Sequence, residues 1–80
     1  MITPAQIRAA RALLGWRQAD LAEASGVSEI AIKNIERGST DPKATTLTNI
    51  QDAFTKAGVI FLDPNDIRDG GHGVRFKRKG

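Results

Sequence analysis

The chain has 80 residues, 40% hydrophobic and 26% charged, a soluble globular composition with room for one small core but not two. It contains no cysteine, which excludes disulfides, thiolate metal sites and cysteine nucleophiles; no metal or cofactor is expected. The formal net charge of +3 is uneven: residues 1 to 42 balance five bases against five acids, the remainder carries seven against four, and much of that excess sits in "RFKRK" near the C-terminus.

The opening "MITPAQIRAA" lacks a basic stretch followed by an apolar run, and no segment approaches the roughly 18 apolar residues that span a bilayer. A cytoplasmic protein with no membrane partner is therefore expected. Thr3, Pro4 and Gln6 form a helix start, with Thr3 as cap, Pro4 at the first helical position and Gln6 reaching back in a capping box. The helix runs to about Leu14, buries Ile7, Ala10 and Leu14, and stops at Gly15 in a left-handed conformation. A second helix is expected over about Gln18 to Ser25, with Trp16 wedged between the first two helices and Gly26 in the following turn.

Ser28 caps a third helix, "SEIAIKNIERG", that continues to about Arg37 and ends at Gly38. Its three isoleucines cannot share a face. At about 100° per residue, Ile32 and Ile35 lie within about 60° of each other, whereas Ile30 projects roughly opposite, beside Lys33, Asn34 and Arg37. Pro42 bars continuation through "RGSTDPK", and a fourth helix follows over roughly Thr45 to Ala57, with Leu47, Ile50, Phe54 and Ala57 at helical spacing. Beyond Gly58 the pattern becomes β-like: "VIFL" and then the alternating "GVRFKRK", separated by a turn-rich segment too long for a tight hairpin.

Two short helices joined through a glycine turn, inside a four-helix unit, have the layout of a helix-turn-helix. Small Ala22 stands where the helices cross, Gly26 sits in the turn, and Val27, Ile32 and Ile35 anchor the pair. Through "LLGWRQADLAEASGVSEIAIKNIERG", Leu13 to Gly38, the sequence resembles the lambda repressor-like, XRE/Cro-type helix-turn-helix family. With helix 1 and "TDPKATTLTNIQDAF" the resemblance covers about three-quarters of the chain. It implies a mainly α domain of four helices over residues 1–58, here followed by a short C-terminal β-hairpin or strand pair over 59–80.

The resemblance also implies a small DNA-binding transcription regulator whose third helix enters the major groove of double-stranded DNA. Gln18 matches the family glutamine that binds phosphate and can brace the recognition helix. Ser28, Glu29, Ile30, Lys33, Asn34 and Arg37 match the positions that meet DNA. Chemistry assigns Asn34 to adenine, Lys33 to guanine or phosphate, Glu29 to cytosine, Arg37 to phosphate and Ile30 to the thymine methyl group. Arg11 and Glu36 match a structural salt bridge, and Lys43 and Thr45 match further backbone contacts. One departure stands out: Arg17 occupies the position before Gln18, where the family often has a capping Ser, Thr or Asn, and Arg17 is assigned instead to phosphate.

The strand "VIFL" is apolar on both faces, more than one helix layer covers. A homodimer is therefore expected, with Val59, Ile60, Phe61, Leu62, Val74 and Phe76 in its interface, acting as a repressor on an inverted-repeat operator. The rival reading is an antitoxin or another helix-turn-helix module that holds a protein partner. No enzyme is expected, because His72 lacks a partner and no phosphate-binding glycine motif or metal-ligand spacing is present.

Overall fold

The computed structural model describes residues 2–62 and 73–77. Helix α1 spans Pro4–Leu14 and begins with the reciprocal cap expected from sequence: the Thr3 hydroxyl oxygen accepts from the Gln6 N–H at 3.2 Å, and Gln6 Oε1 accepts from the Thr3 N–H at 2.8 Å. Gly15 ends it at φ 66°, a left-handed value open to glycine without a Cβ clash. Helix α2 covers Gln18–Ser25, α3 Glu29–Glu36 and α4 Ala44–Lys56. The fourth helix thus starts and stops one residue earlier than its apolar spacing indicated.

Strand β1, Val59–Leu62, pairs antiparallel with β2, Gly73–Phe76, in the register Val59 with Phe76 through Leu62 with Gly73. The Lys77 N–H donates to the Gly58 carbonyl at 2.6 Å and closes the open end of the pair. The segment between the strands, with His72, and the basic residues Arg78 and Lys79 lie outside the described residues.

All four helices and β1 supply the core. Phe54, Ile7, Leu21, Ile32, Ile50 and Val59 are its largest fully buried side chains. Each such burial stabilises the fold by about 1.5 to 3 kcal/mol, so a residue of β1 ranks with those of the helices. The Trp16 ring stacks on Phe54 of α4 at 5.6 Å between centroids, and Phe54 meets Phe61 of β1 edge-on at 5.7 Å. These contacts cross the chain because Phe54 lies at the centre of the core, where a large flat surface is available.

Gln6 has a second task beyond capping. Its Nε2 donates to the Leu62 carbonyl at 3.2 Å and the Gly73 carbonyl at 2.9 Å, while Oε1 remains on Thr3. This buried amide satisfies its own polar atoms and pins the far end of both strands to the first turn of α1.

Candidate nucleic-acid interface

The turn between α2 and α3 is made by residues whose local chemistry leaves little choice. Gly26 closes α2 at φ 75°, and the Ser28 hydroxyl accepts from the Ala31 N–H at 3.1 Å, starting α3 cleanly. Ser25 Oγ accepts from the Val27 N–H at 3.2 Å and tightens the turn. Val27 and Ala22 are half-buried and pack on the core.

Helix α3 is divided sharply by its own geometry. Ile32 and Ile35 are buried, while Ile30 is 74% exposed. Ser28, Glu29, Lys33 and Arg37 are exposed with it, and Asn34 is half-buried at the edge of the same face. Two cations, one anion, one amide, one hydroxyl and one large apolar side chain thus share the outward side of α3 and its two ends.

The opposite side of α3 is anchored through Glu36, a carboxylate only 5% exposed. Arg11 grips it with two hydrogen bonds, Nε to Oε2 at 2.7 Å and Nη2 to Oε1 at 2.8 Å. Gln18 Nε2 donates to Oε1 at 3.3 Å, and Arg8 donates to the Glu36 backbone carbonyl. Arg11 Nη1 also donates to the Trp16 carbonyl at 3.0 Å. The hydrogen bonds with Glu36 hold the Arg11 guanidinium above its already high ordinary pKa, against the opposing effect of partial burial. Helices α1, α2 and α3 therefore meet on one carboxylate. Gln18, assigned from sequence to phosphate and to bracing, is engaged as a brace in this arrangement.

Arg17 does not cap α2 through its side chain; Asp20 supplies the other half of the cap, its Oδ2 accepting from the Arg17 N–H at 2.8 Å. Asp20 also receives the guanidinium, Nη2 to Oδ1 at 3.1 Å and Nε to Oδ2 at 3.3 Å. The side-chain hydrogen bond from Arg17, reinforced by its backbone N–H, pulls the Asp20 pKa below the ordinary carboxylate value; the same contact raises that of Arg17.

Lys43 and Thr45 are exposed at the start of α4. A cleft of about 320 Å³ connects this end of α4 to the exposed face of α3, with Ser28, Ile30, Ala31 and Asn34 on one wall and Thr40, Pro42 and Thr46 on the other. Sequence reasoning gives no ground for choosing Thr40 and Thr46, because their approach to α3 depends on how the loop folds back. The hydroxyls flanking Pro42 are the only local hint.

The residues assigned to a dimer interface divide into three groups. Val59 is fully buried against the core of its own chain. Phe61 and Val74 are half-buried and pack on the core. Ile60 and Leu62 are half-buried on the alternate positions of β1, and Phe76 is 50% exposed. Among the described residues, no cluster of His, Cys, Asp or Glu could hold a metal ion, and no helix is long and apolar enough to cross a membrane.

A family model described as "Helix-turn-helix" matches residues 7–56, more than half of the chain, and covers all four helices apart from the first turn of α1. No curated protein matches the sequence.

Proposed function

Because the chain belongs to the lambda repressor-like helix-turn-helix family of DNA-binding transcription regulators, we propose that it binds an inverted-repeat operator as a homodimer, with α3 in the major groove. The observation that carries this reading is the division of α3. A buried carboxylate and two buried isoleucines fix one side, and the other presents Ile30, 74% exposed, among Glu29, Lys33 and Asn34. Groups of this kind read base edges: Asn34 pairs with adenine, Lys33 donates to guanine or phosphate, Glu29 accepts from cytosine N4, and Ile30 covers a thymine methyl group.

Backbone contacts set the register. Arg17 and Gln18 stand at the start of α2, Ser28 caps the reading helix, Arg37 follows its end, and Lys43 and Thr45 stand at the start of α4. Residues 1–58 form the reading unit, and the 59–80 extension joins two copies through Ile60, Leu62 and Phe76. The pair would set two α3 helices about 34 Å apart, one turn of duplex. Such occupancy represses by exclusion wherever the operator overlaps a start site.

Fluorescence anisotropy on random duplex across a salt series tests the reading. On random duplex, Arg37 and Lys43 from each protomer correspond to a slope of log K against log salt of about −4, and engagement of Arg17 on the operator steepens it. Selection from random sequence should then return two half-sites related by a dyad. An absence of duplex binding even at low salt would assign the chain to a protein-binding role of the antitoxin kind.

A further inference from the structure

Arg17 has two claims upon it. It is a cation at the start of α2, assigned above to a phosphate, yet its guanidinium already lies side-on against Asp20. The two parallel N–H bonds to two carboxylate oxygens have the geometry a guanidinium uses on a phosphate. The carboxylate is held independently by the Arg17 backbone N–H at 2.8 Å, so it stays in place when the guanidinium leaves. The pair itself is loose: the Arg17 side chain is 80% exposed, and exposed ion pairs exchange readily because their net worth is small. Glu29, at the first position of α3, adds a second and weaker attraction on the same cation.

We propose that Asp20 is a specificity-setting residue: it occupies the phosphate-binding fork of Arg17 in the free protein and yields it only where the reading face sits in register. This rests on the operator reading above. On random duplex, where α3 makes few base contacts, nothing holds one phosphate beside Arg17, and the tethered carboxylate competes through its high effective concentration although the pair itself is weak. On the operator, base contacts fix the distance to one phosphate, and that phosphate displaces Asp20. Arg17 thus adds little to non-specific binding and more to specific binding. The arrangement widens the ratio between the two, the quantity that matters among many competing sites.

Asp20→Asn removes the charge while keeping an oxygen that can accept the Arg17 N–H, so α2 retains its start; circular dichroism checks this. On random duplex the variant should bind tighter by up to about fivefold at low salt. Its salt slope should steepen by about 0.9 for each protomer. Arg17→Ala should leave random-duplex affinity of the parent nearly unchanged, weaken operator binding, and abolish the gain when added to Asp20→Asn. A gain of equal size in the Arg17→Ala background would overturn the inference, since Asp20 would then act by direct repulsion of phosphate. So would the absence of any gain. NMR titration of Asp20 in the free protein supplies an independent readout: Arg17→Ala should raise its midpoint toward the ordinary carboxylate value, and an unmoved midpoint overturns the tether. If the parent fails to bind duplex at all, the operator reading falls and the inference with it; duplex binding with no effect of Asp20→Asn removes the inference alone.

Discussion

Helix α3 and the strand pair both expose large apolar side chains, but they do so in different ways. In α3 the boundary is sharp, from the buried Ile32 to Ile30 at 74% exposure two residues earlier. In β1 only Val59 is fully buried, and Ile60, Phe61 and Leu62 are all half-buried. A helix turns a two-residue step through about 200°, which separates core from solvent cleanly. A two-stranded ribbon laid over a small core lacks a second layer, so its outward positions are neither wet nor dry. Helix α3 presents a sharply bounded surface, whereas the strand pair leaves its outward positions only half covered in the single chain.

The contrast can be broken most severely at Glu36. Replacing it by alanine strands Arg11 without its carboxylate and removes the side-chain hydrogen bonds that tie α3 to Arg11 of α1 and Gln18 of α2. Denaturant unfolding should show a loss of about 3 kcal/mol, at the low end for a broken buried pair because the Arg11 side chain is 20% exposed. Operator binding should fall with it.

Phe76→Asp addresses the other region. If the strand pair is completed by a second copy, this change should weaken self-association by about 2 kcal/mol or more. Monomer stability should shift by less than about 0.5 kcal/mol, because the residue is already 50% exposed. Sedimentation of parent and variant separates these effects; a parent that stays monomeric on DNA would end the dimer proposal.

Ile30→Ala sharpens the functional side of the comparison. A methyl contact without a hydrogen bond sits at the lower end of base discrimination, so the expected loss is about 1 to 2 kcal/mol, confined to one thymine-containing position. A uniform loss across operator variants would mean that Ile30 reads no base. Ser28→Ala should cost about 1 kcal/mol of stability through loss of the α3 cap, measured by thermal unfolding.

The smallest effect is a pH dependence. Asp20 has a depressed pKa in the folded chain, so its contact with Arg17 stabilises the fold above the unfolded carboxylate value of about 3.9 and is lost as pH falls through the lower folded value. Asp20→Asn should flatten stability across that acidic window. A parent and variant with parallel pH profiles would show that the pair adds nothing to the fold.

Much of the reading unit was legible because its determinants are local. Thr3 and Gln6 are three residues apart, as are Ser28 and Ala31, and each pair writes its cap within one helical turn. The opposed faces of Ile30 and Ile32 require only the helical period. Arg11 and Glu36, 25 residues apart, were reached through family resemblance rather than periodicity. At Arg17, sequence reasoning saw the missing side-chain cap but did not use Asp20, three residues on, as its replacement.

By itself the sequence determined four helices, the side-chain caps of α1 and α3, the glycine stops of the first three helices, two β-like segments and the exposed composition of α3, since these follow from patterns within a few residues. Only the tertiary structure decided that Gln6 clamps Leu62 and Gly73, that Trp16 stacks on Phe54, that Val59 belongs to the core, and that Thr40 and Thr46 face α3 across a cleft. The Gln6 contacts join residues 56 and 67 positions apart. No local period encodes such a meeting; it exists because packed helices leave a particular space and the chain returns to fill it.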